Sequence, residues 1–291
     1  HVERVININA DPADALHYNR TLALVGDIPS TLDRLNQALG RALPEQSEWL
    51  AACAGKKAAW QAFKAERAQN PILFDPYWGV EVLTQPAAIL TASAWARAEG
   101  AVSFYDAGDV QANGFQVVED ERPDQTFNES GASYMGFAVS ALLASAAASD
   151  PFYGLAFTGD GSLTMNPQIL IDGVEHGAHG CILLLDNGRM AAISGLQEAQ
   201  YGHEFATRNT LQVDYLAWAR SVPGLLALAG GRSPQALLAA LEQAFAHPGL
   251  SLIHLPVYYG PDPLGGMGVY GRWNVGNWCD EVQALRHQIG L

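Results

Sequence analysis

Cysteine is scarce. Cys53, Cys181 and Cys279 are the three in 291 residues, odd in number and widely separated. That excludes a disulfide framework and the paired-cysteine spacing of a zinc site, and it favours a reducing compartment, so a cytoplasmic location is expected. Cys181 opens an apolar run and reads as a small core residue. Basic residues are few as well: 16 Lys+Arg against 30 Asp+Glu leave a net charge of −14. Gripping a phosphate backbone needs basic surface, so no nucleic-acid partner is expected. No apolar run reaches roughly 18 residues and no signal peptide is visible, so no membrane association is expected either. Two catalytic signatures are missing, the GK[ST] of a P-loop and a GxSxG nucleophile elbow. His176 and His179 sit near a helix end rather than in a metal-ligand pattern.

What is present is a globular composition, 49% hydrophobic and 16% charged, in a chain long enough for one large or two ordinary domains. VININADP at residues 5–12 reads as a strand and turn, and Ile28 to Leu39 as a helix with Ser30 as a plausible cap. Pro44 to Pro76 is Ala-rich and carries Lys and Glu, which predicts a helix and a linker. The expected division is therefore 1–43, a helical linker over 44–78, and a main domain over 79–291.

Within that main domain short apolar strands alternate with helices. Helices are predicted over Pro86–Glu99, over Ser133–Ser149, and over Asn166–His176 with Asn166 as cap and Pro167 at its first position. Others are expected near Leu211–Arg220 and Ser233–Ala246, and a last one from about Cys279. AVSFYDAG, LAFTGDG, CILLLDNG and LSLIHLPV read as strands. The alternation predicts an α/β fold, a mostly parallel sheet with helices on both faces.

Two polar turns bracket one βαβ unit: Gly159-Asp160-Gly161 after the first strand and Asp186-Asn187-Gly188 after the second. In a right-handed βαβ unit both strands finish at the same sheet edge, so Asp160 and Asn187 are expected to be neighbours in space. A carboxylate, an amide oxygen and nearby backbone carbonyls form an all-oxygen donor set, suited to Mg²⁺ or Ca²⁺ rather than zinc. Mg²⁺ keeps few protein ligands and accepts phosphate oxygens, which points to a phosphorylated ligand. Glycines let the backbone approach it closely.

Gly-Asp-Gly followed, after an apolar strand, by an Asn-containing pair resembles the thiamine-diphosphate signature. Over about Gly100 to Pro256 the chain is similar to the diphosphate-binding domain of the acetolactate synthase, pyruvate decarboxylase and benzoylformate decarboxylase group. One position departs: Asp186 stands where the first of two asparagines is usual, while Asn187 keeps the ligand position.

The resemblance implies thiamine diphosphate and Mg²⁺ as cofactors, the ion held by the side chains of Asp160 and Asn187 and the carbonyl of Arg189. Gly159, Gly161 and Ser162, with Met190 and Ala191 after the second turn, would border the diphosphate. DAGDVQAN resembles the family's diphosphate loop and places Gly108, Asp109, Val110 and Gln111 there, with Asp109 expected to act through its backbone. ESGASYMGFAVSALLAS resembles the segment before the family's long helix, making Met135 the residue that props the cofactor in its bent form. Ser133 would receive the aminopyrimidine through its carbonyl.

The activating glutamate belongs to a pyrimidine-binding domain that this sequence does not contain, so no catalytic residue is assigned. VININADP and ALVGD resemble the end of the family's middle domain, and the chain is expected to be the C-terminal half of a longer enzyme, inactive by itself. The partners implied are a small carbonyl or 2-oxo acid substrate, a pyrimidine-binding chain or segment, and a homo- or hetero-oligomer, dimer or tetramer. The activity implied first is 2-oxo acid decarboxylation or carboligation. The alternatives are a C–C hydrolase of a cyclic 1,2-dione, as in inositol breakdown, and a non-catalytic cofactor-binding subunit. AAISGLQEAQYGHEF should border the substrate, with Ile193, Gln197 and His203 as candidates, and the Gly-rich stretch from Gly260 to Trp278 is a candidate lid.

Overall fold

The structure is a computed structural model that describes residues 3–40 and 47–260. The lid candidate beyond Gly260 and the helix expected from Cys279 lie outside those residues. The chain divides within its longest helix into two compact units, residues 1–59 and 60–291.

The first unit opens with β1 (Val5–Asn9), α1 (Pro12–Ala15), β2 (Thr21–Val25) and α2 (Ile28–Leu39), the strands forming a parallel pair. Helix α2 starts where expected, but its cap is Asp27, whose carboxylate accepts from the Ser30 amide at 2.9 Å. Ser30 is thus capped rather than capping, because Asp27 already stands one residue outside the helix with its carboxylate in reach of the first turn. Helix α3 (Ser47–Gln69) follows.

The second unit holds an eight-stranded sheet. Its elements after α3 are β3 (Ile72–Asp75), β4 (Val80–Thr84), α4 (Gln85–Glu99), β5 (Val102–Tyr105), α5 (Asp109–Val117) and β6 (Thr126–Asn128). Then come α6 (Phe137–Ala141), α7 (Ala144–Ala147), β7 (Gly154–Gly159), α8 (Asp160–Leu163), α9 (Ile169–Glu175) and β8 (Gly180–Asp186). The last are α10 (Ala191–Tyr201), α11 (Tyr215–Arg220), β9 (Leu226–Ala229), α12 (Pro234–Phe245) and β10 (Leu250–Tyr258). The sheet order is β3-β4-β10-β8-β7-β5-β6, with β9 beside β10. All pairings are parallel except β3 with β4. The segment read as linker therefore contains an edge strand.

Strand β8 explains why its sequence is continuously apolar. Cys181, Leu183 and Leu185 enter a core shared with α4, α5 and α12, while Ile182 and Leu184 enter a second core shared with α6, α9 and α11. With both faces covered, neither side of the two-residue period is left for polar groups until Asp186 ends the strand.

Two helix expectations are corrected. Ser133–Ser149 is not one helix: Ser133 has φ +58° and Gly136 φ +89°, and helix begins only at Phe137. Tight i→i+3 bonds at Leu142 and Leu143 then separate α6 from α7. Asn166 does not cap α9 either. Its side-chain amide is spent on the Ser140 hydroxyl, and the helix starts at Ile169 after Gln168. Both deviations have one cause, since tertiary hydrogen bonds in the loops near Gly136 outcompete local capping.

Leu184 is fully buried at the centre of the sheet. Leu184→Ala should lower unfolding free energy by about 3 kcal/mol, read as a lower urea midpoint at unchanged slope.

Candidate functional site

The register of β7 against β8 pairs Gly159 with Leu185, so Asp160 and Asp186 leave the sheet side by side. Both are buried, at 3% and 5% exposure, as is Asn187 at 6%. Burial, and after it the neighbouring Asp186 carboxylate, pushes the Asp160 carboxyl up to about 7. The only side-chain hydrogen bond described on Asp160 comes from a neutral group, the Asn209 amide, at 2.7 Å from Oδ2. Asp186 is engaged differently: Oδ1 accepts from the Gly188 amide at 3.0 Å and Oδ2 lies 2.9 Å from His254 Nε2.

A short antiparallel clip closes the β8 turn. Asn209 donates its amide to the Gly188 carbonyl at 2.8 Å, Met190 donates to Thr207 at 2.8 Å, and Arg189 bridges to Arg208. In that pattern the N–H and C=O of Arg189 face away from Arg208. The Arg189 amide meets Asn187 Oδ1 at 3.2 Å, and no bond of the clip uses the Arg189 carbonyl. Its guanidinium stacks 4.0 Å from the Tyr259 ring centre and lies 3.5 Å from Glu204. Gly188 has φ +67°, and a Cβ there would sit 2.4 Å from the Tyr77 ring, so only glycine fits.

The loops assigned to the diphosphate come to the same edge. A Cβ on Gly161 would meet Met190 Sδ at 2.6 Å and Met135 Cε at 3.4 Å, which brings three of the sequence-derived residues into one contact. Gly108, at φ +81°, would meet Ala192 at 3.7 Å, and Gly159 would meet Val110 at 4.0 Å. The starts of α5, α8 and α10 therefore converge, each with the positive end of its dipole toward this edge. Ser162 and Gln111 are buried, and Gln111 binds the Glu129 carbonyl at 3.2 Å. Asp109 opens α5, where burial pushes its carboxyl up to about 6. Ala191 is the first residue of α10. Ser133 stands in a left-handed conformation, in a loop whose amides at Gly131, Ala132 and Tyr134 close on the Glu129 carboxylate.

The donor set suits a divalent ion beside an anion. Among the described residues the two adjacent buried carboxylates have no basic side chain in an ion pair except the His254 ring, and the helix starts supply positive partial charge next to them. Among the described residues no group of three or more His, Cys, Asp or Glu side chains gathers as a metal centre. An ion here would rely on amide and carbonyl oxygens as well as Asp160. The substrate-side candidates are less gathered. Gln197 binds the Phe205 amide at 2.6 Å, His203 binds the Tyr201 carbonyl at 3.0 Å, and Ile193 is exposed.

A crossover-wound parallel sheet with glycine turns, a carboxylate and an amide at one edge and helices on its faces is an α/β cofactor-domain architecture. The chain belongs to the thiamine pyrophosphate enzyme family: residues 106–255, about half of it, match the C-terminal TPP binding domain. It is also 28% identical over 162 residues to the acetolactate synthase isozyme 1 large subunit of Escherichia coli (strain K12). That match covers 55% of this chain and 28% of the relative, so the chain corresponds to little more than a quarter of that protein's length. No helix among the described residues is long and apolar enough to cross a membrane.

Three residues of the site were missed in the sequence. Asn209 reaches Asp160 from another loop, and His254 reaches Asp186 from mid-strand. Asp106 is fully buried, where burial raises its carboxyl above the usual range; it accepts from the Gly136 amide and the Thr158 hydroxyl, each at 2.8 Å. It thereby ties the loops after β5 and before α6 to β7. A signal for Asp106 does exist in Asp-Ala-Gly at a strand end, whereas Asn209 and His254 have none.

The Asp160 environment sets a pH dependence. A carboxyl raised from 3.8 to about 7 adds stability that is complete below the unfolded value and lost as pH rises through the folded one. At pH 8 without metal, Asp160→Asn should therefore stabilise the chain by about 2 kcal/mol. At pH 4 the two proteins should unfold together. Denaturant melts in EDTA at both pH values check this.

Proposed function

We propose that this chain is the diphosphate- and Mg²⁺-binding part of a thiamine-diphosphate-dependent enzyme that breaks or forms a C–C bond next to a carbonyl, acting first on 2-oxo acids as a decarboxylase or carboligase. The observation that carries this is the meeting of Asp160 and the Asn187–Arg189 turn with the starts of α5, α8 and α10 at one sheet edge. Negative and positive partial charge are set side by side there, as a metal–diphosphate pair requires.

Asp160, Asn187 and the Arg189 carbonyl hold the ion. Gly161 and Ser162, with Gly108 to Gln111 and Met190–Ala191, receive the diphosphate through backbone amides. Met135, packed toward Gly161, supplies an apolar prop. Once bound, thiamine diphosphate supplies a carbanion nucleophile and an electron sink. The glutamate that activates it comes from a pyrimidine-binding chain or segment, and this chain alone does not turn over.

A second activity is favoured by Asp186. The position carries a carboxylate joined to His254 rather than the usual amide, and the two border a cavity of about 330 Å³ with Tyr77, Asn209, Gln212 and Tyr215. Trp78, Leu211 and Val213 complete a mixed lining that, among the described residues, holds two carboxylates and no Lys or Arg, so it suits a neutral hydroxylated ring better than an anionic 2-oxo acid. It supports hydrolysis of a cyclic 1,2-dione as the alternative.

Thiamine diphosphate should bind the purified chain only with Mg²⁺, detected by calorimetry, and Asp160→Ala should abolish binding. No CO₂ should appear from 2-oxo acids until a pyrimidine-binding polypeptide is added; turnover by the single chain would overturn the shared-site assignment. With the complete enzyme, consumption of a cyclic dione without CO₂ release would select the hydrolase.

A further inference from the structure

Among the described residues, Asn209 reaches the carboxylate of Asp160 from outside the two signature turns. It joins both of them. Its side-chain amide donates to Asp160 Oδ2 at 2.7 Å, after β7, and its backbone amide donates to the Gly188 carbonyl at 2.8 Å, after β8. The bond to Asp160 is short, so it fixes the rotation of the carboxyl group and engages one of its two oxygens. The donor is neutral, so it brings no positive charge to compete with a cation. A lysine in the same place would bring one.

The two common hard cations use carboxylates differently. Mg²⁺ demands near-octahedral geometry with short contacts, most easily met by one oxygen of each carboxylate. Ca²⁺ is larger, tolerates seven or eight ligands and readily takes both oxygens of one carboxylate. Pinning Oδ2 leaves Asp160 a one-oxygen ligand.

We propose that Asn209 determines which divalent ion the site accepts: by holding one oxygen of Asp160 while its backbone locks the Asn187–Arg189 turn, it selects Mg²⁺ over Ca²⁺. Its premise is the cation site proposed above. Asn209 is a positioning residue, acting through Asp160 without touching the ion. The rest of the clip, Met190 to Thr207 and Ser194 to Thr207 at 2.7 Å, keeps the Asn209 loop in place for this task.

The test is calorimetric titration of Mg²⁺ and, separately, of Ca²⁺ into the full chain with saturating thiamine diphosphate, for wild type, Asn209→Ala and Asn209→Leu. Asn209 is itself exposed, so alanine removes little packing, and leucine keeps the approximate size while deleting the donor without adding charge. Unfolding midpoints in EDTA, measured alongside, should stay unchanged for Asn209→Ala. Mg²⁺ should bind about tenfold more weakly to both variants, and the ratio of Ca²⁺ to Mg²⁺ affinity should rise by about the same factor. A merely structural role would weaken both ions together and leave that ratio fixed. Wild type that binds Mg²⁺ with variants whose ratio is unchanged would overturn the role of Asn209 alone. Wild type that binds neither ion with the cofactor present would overturn the cation site itself, and this inference with it.

Discussion

The parallel register between β7 and β8 is the constraint on which the site depends. It forces Asp160 and Asp186 out of the sheet next to each other, in a place too buried for water to screen them. Burial first, and the Asp186 carboxylate after it, disfavour the ionised form, and Asp160 holds its proton to about neutral pH. Under the proposed function a divalent ion would reverse the sign of that interaction. The geometry that costs free energy in the two carboxylates would then be a source of affinity.

A cation alone would leave the helix starts unmatched. The amides of α5, α8 and α10 point to the same edge, and the contacts of Gly161 with Met190 and of Gly108 with Ala192 hold those starts close enough to share one anion. Asp106 makes this arrangement rigid from below. Its buried carboxylate accepts from Gly136 and Thr158, which links the loop bearing Met135 to β7, the strand that leads into Asp160. A buried carboxylate in that role is costly unless it is hydrogen-bonded, and here both oxygens are.

The fold was legible where local pattern and tertiary demand agree. CILLLDNG could be read because an uninterrupted apolar run closed by a polar turn is what a strand covered on both faces must look like, and Gly159-Asp160-Gly161 because its glycines are needed for close contact. Reading failed where a side chain served a distant partner. Asn166 has the right type and place for a cap, yet its amide goes to Ser140, and Ser133 lies in a helix-favouring stretch whose backbone is turned by its own loop. Asn209 and His254 belong to the same class. Their roles are fixed by which loop folds against which strand end, a long-range property that no window of neighbouring residues encodes.

The two units differ in what they can support by themselves. In the second, both sheet faces are covered and the core residues of β7, β8 and β10 are fully buried, so the strand ends bearing Asp160 and Asn187 are held on a stiff platform. In the described part of the first, Ala15 is the one buried apolar residue, and Ile28, Leu32, Leu35 and Leu39 form an exposed stripe along α2. That spacing is the signature of a helix meant to be covered, and a two-stranded sheet with so little burial is marginal in water. Precision at the site therefore rests on the second unit. The first contributes an apolar face whose free energy is lowered only when other apolar surface closes over it.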